Sequence, residues 1–204
     1  MKNKVNIIGS GGHSRPVINL LELCGIGIEG IYDQSFRSEK SEEINSYLIR
    51  GLVHDVPKDS EVILAVGDNE QRETLYKEHL PSIRKENLVH PKAIIENRCV
   101  IGNSNQVFCS VIINSNVSIG DDNILNTGCI IEHETKIGSH NHISVGAILC
   151  GRVSIADRCF IGAGTVVIDK VSICSDVTVG ANSVVVENIS EPGTYVGCPA
   201  RKIK

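Results

Sequence analysis

The sequence predicts an α/β unit of about ninety residues followed by a three-sided parallel β-helix, and three observations carry that expectation. From Ile95 to Val185 an Ile, Leu or Val returns at every sixth position without a slip. A helix repeats its apolar face at about 3.6 residues and a simple strand at about 2, so neither explains a strict six over this length. The preceding residues instead alternate short apolar runs with glycine turns and helical spacing, and the character changes near His90 and Pro91.

The first unit is read element by element. Val5 to Ile8 is a continuous apolar run closed by Gly9-Ser10-Gly11-Gly12-His13-Ser14, after which Val17, Ile18, Leu20, Leu21 and Cys24 space as one helix face. Ile28 to Tyr32 is a second strand ending at Asp33, and Glu61 to Val66 a third, closed by Gly67. Asp68 caps a helix running to about His79, with Gln71 placed to complete a capping box. Ser35 to Ser60 is polar and irregular and yields no element; Leu88 and Val89 add a short strand. This alternation describes a Rossmann-like unit whose strand ends and helix N-termini present N–H groups to an anion. Gly9-x-Gly11 matches part of a dinucleotide fingerprint, but Ser14 stands where the third glycine belongs. A phosphate-bearing nucleotide sugar therefore suits this short unit better than NAD.

In the repeat, the residue two places before the aliphatic is small or β-branched at Cys99, Val117, Cys129, Thr135, Ala147, Cys159, Val171, Val177 and Ser183, as a crowded corner requires. Glycine follows the aliphatic at Gly102, Gly120, Gly138, Gly162 and Gly180, where the backbone is expected to turn. Three six-residue sides close a coil of eighteen, and about five stacked coils bury the aliphatic column. The period leaves handedness open. Pro192, Gly193 and Pro199 break the pattern, so 191–204 is expected to cap the last coil. The expected domains are thus 1–90, 91–190 and 191–204. An unbroken register leaves no loop on the solenoid to grip a second substrate, which assigns that task to His13, Asp33 and Gly67 in the first unit.

Composition narrows the partners. The 204 residues carry a net charge of −4, no Trp and 3% aromatics, which offers neither a basic footprint nor a stacking platform for nucleic acid. The apolar run after Met1 to Lys4 stops at Gly9, too short for a signal-peptide core, and no segment reaches the ~20 apolar residues of a membrane span. A cytoplasmic location is expected. The eight cysteines form no CxxC pair, and Cys99, Cys129 and Cys159 share the small position of the repeat, so they are expected to be packing residues in a reducing compartment.

Chemistry is concentrated in Asn126-Thr127-Gly128-Cys129-Ile130-Ile131-Glu132-His133-Glu134, followed by His140-Asn141-His142. His133 falls two places after the inward Ile131, so its imidazole leaves the core and can accept a proton near neutral pH. Glu132 or Glu134 stands ready to orient the ring.

Four segments carry a resemblance: Gly9 to His13, Ala65 to Glu70, Ile131 to Glu134, and Gly197 to Ala200. With the hexapeptide repeat, they make the chain similar nearly end to end to the NeuD/PglD-type sugar O- and N-acyltransferases of the hexapeptide acyltransferase superfamily. That resemblance implies a left-handed parallel β-helix, a homotrimer with acyl-CoA in grooves between subunits, and no metal. It implies acetyl transfer from acetyl-CoA to a nucleotide-linked amino-deoxysugar, of UDP type, in bacterial surface glycan biosynthesis. By the same likeness His133 matches the catalytic base and Glu134 the acid that supports it; Asn126 matches an active-site amide and His142 a contact to acetyl-CoA. Ala163 and Ala181 match positions lining the CoA groove, and Gly11, Gly12, His13, Asp33 and Gly67 match the sugar-nucleotide site. Gln34 stands where relatives carry a second acid.

Four rival readings stand beside this one. A sialic acid hydroxyl could be the acceptor. His133, His140 and His142 could hold zinc in a β-helix enzyme, Cys129 could be a covalent nucleophile, and the solenoid could be an oligomerisation stalk for a non-catalytic nucleotide-sugar sensor.

Overall fold

The computed structural model describes residues 4–37 and 42–204. Met1 to Asn3, and residues 38–41 of the stretch from Ser35 to Ser60, lie outside the described residues. The chain divides into two compact units, Met1–Leu88 and Val89–Lys204.

In the first unit, β1 (Lys4–Ile8), β2 (Gly27–Tyr32), β3 (Glu43–Ile44), β4 (Tyr47–Gly51) and β5 (Val62–Leu64) form a mixed sheet in the order β3-β4-β2-β1-β5. β1 runs parallel to β2 and β5, β2 runs parallel to β4, and β3 returns antiparallel to β4. Helix α1 (Ser14–Leu23) buries Val17, Ile18, Leu20 and Leu21, the face that the spacing predicted. Helix α2 (Asn69–Glu78) begins at Asp68, whose Oδ1 accepts the Gln71 N–H at 2.8 Å. The hairpin β3–β4 is an addition that sequence reading missed. It turns through Asn45 and Ser46, both with positive φ, and only Ile44, Ile49 and Gly51 of its residues are buried. So short a strand pair carries no period to detect.

The second unit is a β-solenoid whose strands repeat at eighteen residues. On the first side Ile94, Ile112, Ile130, Ile148, Val166 and Val184 stand in register. On the second side Val100, Ser118, Lys136, Ser154 and Ser172 do so. Gln106, Ile124, His142, Phe160 and Thr178 align on the third. The inward aliphatics from Val107 to Val185 form one buried core, each side chain contributing about 1.5–3 kcal/mol of hydrophobic stabilisation. Segment 191–204 extends the third side: Gly193–Val196 pairs with Val177–Val179, and Arg201–Lys202 folds back antiparallel.

The structure corrects the role of the repeat glycines. Each corner turns through a residue of positive φ three places after the inward aliphatic, including Arg98, Asp122, Gly128, Glu134, His140 and Asn182. Gly102, Gly120 and Gly162 lack positive φ and are instead places where coils touch. A Cβ on Gly102 would lie 2.7 Å from the Gly120 carbonyl oxygen, and one on Gly120 would lie 2.7 Å from that of Gly138.

Corners are also tied by a buried asparagine ladder at the small position. Asn123 donates its backbone and side-chain N–H to Asn105 Oδ1 at 2.8 and 3.0 Å and a second side-chain N–H to the Gly138 carbonyl at 2.9 Å. Its own Oδ1 accepts two bonds from Asn141, and Asn141 Oδ1 accepts the Cys159 N–H at 2.7 Å. Asn123→Ala keeps the backbone bond to Asn105 Oδ1 but takes the side-chain partner from the Gly138 carbonyl and from both Asn141 N–H groups in a buried corner, and the expected loss is about 2–4 kcal/mol, read from the denaturant midpoint.

Candidate active site

Several polar residues of the solenoid stand on its edges. His133 follows the first-side strand Ile130–Ile131, on the edge leading to the second side, and its side chain is 47% exposed. Its Nδ1 lies 3.1 Å from Glu134 Oε2. A carboxylate only accepts, so Nδ1 carries the hydrogen and Nε2 keeps its lone pair. The positive φ of Glu134 (60°) bends the chain there and brings the carboxylate back beside the ring. One coil on, Gly151 is buried directly against the imidazole: a Cβ there would lie 2.7 Å from both Cε1 and Nε2.

Asn126, Ala163 and Ala181 occupy another edge, between the third and first sides, and His142 lies on the third side next to it. His142 is buried, with Nε2 3.1 Å from Asn126 Nδ2 and its ring edge-on to Phe160 at 5.1 Å between centroids. Within one chain, therefore, the candidate base and the candidate acetyl-CoA contacts sit on different edges. His140 stands on the third edge, its Nδ1 2.8 Å from Asp122 Oδ2.

That dispersion leaves the zinc reading without a site within one chain. The three histidines point from different edges or sides, and among the described residues no group of three His, Cys, Asp or Glu side chains could hold a metal ion. The covalent alternative fails as well. Cys129 is fully buried, and burial pushes its thiol up to about 12, so it offers no thiolate near neutral pH. All eight cysteines are free thiols.

In the first unit Gly11, Gly12, His13, Asp33 and Gly67 line one cavity of about 380 Å³, together with Gln34 and Gln71. Gly9 turns at φ 109°, and a Cβ there would lie 2.7 Å from the Ala65 carbonyl oxygen, so close packing of two strand ends dictates that glycine. Gly11 and Gly12 face open space. Asp33 follows β2 directly and accepts the Ser10 N–H at 2.6 Å on Oδ2, and the Ser35 N–H and hydroxyl at 2.8 and 2.6 Å on Oδ1. Burial pushes its carboxyl up, but the bonds from Ser35 and Ser10 outweigh it and leave the group below its ordinary range.

One organiser of this cavity was missed. Arg72 on α2 is fully buried and donates to the carbonyls of Val66 and Gly67 at 3.3 and 3.4 Å and to Asn69 Oδ1 at 3.0 Å, fixing the turn that carries Gly67. A lone arginine in a polar helix reads as a surface residue, so no sequence signal pointed to it. Arg72→Met is expected to lower the melting temperature by several degrees, as thermal unfolding would measure.

Solved structures similar to this chain are enzymes that transfer acyl groups. Comparison supports this from both ends of the chain. Residues 4–79 match the family model described as PglD N-terminal domain. A variant of perosamine N-acetyltransferase from Caulobacter crescentus, solved in complex with CoA and GDP-perosamine, is 30% identical with a TM-score of 0.91, covering 98% of this chain and 97% of that one. The acetyltransferase domain of PglB from Neisseria gonorrhoeae FA1090 is 26% identical with a TM-score of 0.89, over 98% and 100%. WeeI from Acinetobacter baumannii AYE, at 20% identity and a TM-score of 0.86 over 98% and 100%, shares the fold. A search of curated protein sequences finds no match. The chain belongs to the NeuD/PglD-type sugar acyltransferases of the hexapeptide-repeat superfamily.

Among the described residues no helix is long and apolar enough to cross a membrane.

Proposed function

We propose that this protein transfers the acetyl group of acetyl-CoA to the amine of a nucleotide-linked amino-deoxysugar, in the cytoplasm and for bacterial surface glycan synthesis. The observation that carries this reading is the His133–Glu134 pair, with Nε2 bare on an outer edge. His133 takes a proton from the sugar ammonium at Nε2, and the freed lone pair forms a bond to the thioester carbonyl carbon. The C–S bond then breaks, a second nitrogen proton passes to the sulfur, and the products are the amide, the CoA thiol and one proton released from His133. No acyl-enzyme is needed.

The first unit, read as Rossmann-like, holds the nucleotide. Gly11 and Gly12 have open space where a side chain would be, so their bare backbone offers phosphate oxygens a close approach; His13, Asp33 and Gly67 complete the wall. Asn126 contacts the acceptor, while His142, Ala163 and Ala181 line the acetyl-CoA groove of a left-handed helix. The relatives from C. crescentus were solved with GDP-perosamine, so a GDP-linked amino sugar stands beside the UDP type as acceptor.

We further infer a homotrimer. The first side presents Ile94, Ile112, Ile130, Ile148, Val166 and Val184 outward as one aliphatic stripe, beside Ser118, Lys136, Ser154 and Ser172 on the second. A second copy laid on that stripe would bring its own acetyl-CoA edge towards His133, uniting groups that one chain keeps apart. Ile112→Asp is expected to yield monomers by light scattering and to cut activity by at least about tenfold, because the buried charge is unpaired.

The test is thiol release from acetyl-CoA with GDP-perosamine, UDP-linked 4-amino-deoxysugars and free sialic acid. Turnover with a nucleotide amino sugar is expected. Turnover with sialic acid alone would move the reaction to a hydroxyl, and no thiol release with any of them would end the enzymatic reading.

A further inference from the structure

The edge that carries His133 also carries a carboxylate that the mechanism above leaves unused. Asp169 stands two coils from His133, with Gly151 between them. The Cβ position of Gly151 is 2.7 Å from His133 Nε2 and 3.3 Å from Asp169 Oδ1. Nitrogen and oxygen therefore lie no more than about 6 Å apart, above and below a residue that has no side chain. A primary ammonium standing outside the Gly151 backbone, with hydrogen bonds of ~2.7–3.2 Å to each, bridges a separation of up to that length. A hydroxyl has one hydrogen to give, so it can satisfy His133 or Asp169 but not both.

Asp169 is built to stay ionised. Arg152 grips it with Nε to Oδ1 at 3.0 Å and Nη2 to Oδ2 at 2.6 Å. That fork holds the carboxyl below its usual range against the opposing pull of burial, and the charges of Arg152 and Lys170 add to the effect. Glu132, Glu134 and Cys150 also border this edge. Each carboxylate oxygen keeps a second lone pair beyond the guanidinium fork.

We propose that Asp169 selects the acceptor, holding the ammonium form of an amino sugar against His133 Nε2 and so favouring an amine over a hydroxyl. This rests on His133 being the base. Asp169 accepts one ammonium hydrogen throughout and gains no proton, and His133 takes another, so the balance of the transfer is unchanged.

The test compares the parent with Asp169→Asn at about pH 7 and about pH 9.5, using acetyl-CoA with GDP-perosamine and the UDP-linked 4-amino-deoxysugars. A sugar amine flanked by oxygen substituents titrates nearer the α-amino value of about 8 than the about 10.4 of lysine, so it is cationic at the lower pH and neutral at the higher. The expected result is a KM for the amino sugar raised about tenfold or more at pH 7, closing to within about threefold at pH 9.5. The kcat and the KM for acetyl-CoA stay within about threefold, and thermal unfolding is unchanged. An unchanged KM at pH 7, or a rise that persists equally at both pH values, overturns the proposal while leaving the acetyltransferase reading intact. A parent enzyme that releases no thiol with any of these sugars overturns both.

Discussion

His133→Ala is expected to lower turnover by about 10²–10⁴-fold, the usual worth of a positioned general base. The ring lies on the outer edge with its side chain half exposed, so its removal opens no core cavity and leaves the aliphatic column untouched. What is lost is the proposed proton acceptor, together with the carboxylate-held tautomer that exposes Nε2. Steady-state thiol release measures the fall, and an unchanged melting temperature assigns it to chemistry. A variant with the parent's rate would remove His133 from the reaction altogether.

Gly151→Ala is expected to be nearly as damaging to activity while sparing the fold. Its backbone lacks positive φ, so alanine carries no conformational penalty there. The new methyl, however, would stand 2.7 Å from Cε1 and Nε2 of His133, closer than carbon atoms pack, so the imidazole must swing aside. A displacement of about 1 Å at a reacting group costs on the order of 10²-fold in rate. The outcome to look for is a kcat about a hundredfold lower with intact secondary structure and melting behaviour. Should the rate stay within about threefold of the parent, the ring is not confined against this glycine during turnover.

These two substitutions mark the reach of sequence reasoning. The period of six fixed which aliphatic points inward and therefore that His133, two places on from Ile131, points out. It also placed the cavity glycines, because a strand–glycine–helix pattern is local. It misassigned Gly102 and Gly120 to the turn itself, since a glycine needed for φ and one needed for stacking look alike in one dimension. The ladder of Asn105, Asn123 and Asn141 escaped notice because asparagine ordinarily signals an exposed turn, and only coil stacking makes its amide a buried link. Arg72 was missed for the same kind of reason.

Periodicity and local pattern, each complete within about twenty residues of chain, determined the solenoid, the α/β unit before it and the outward imidazole. What only the tertiary structure decided is company. Asp169 comes within about 6 Å of His133 because two coils stack, and His142 is parted from it because the prism turns a corner between them. Such meetings depend on through-space distances of a few ångströms between residues far apart in the chain, and a linear order of side chains does not contain them.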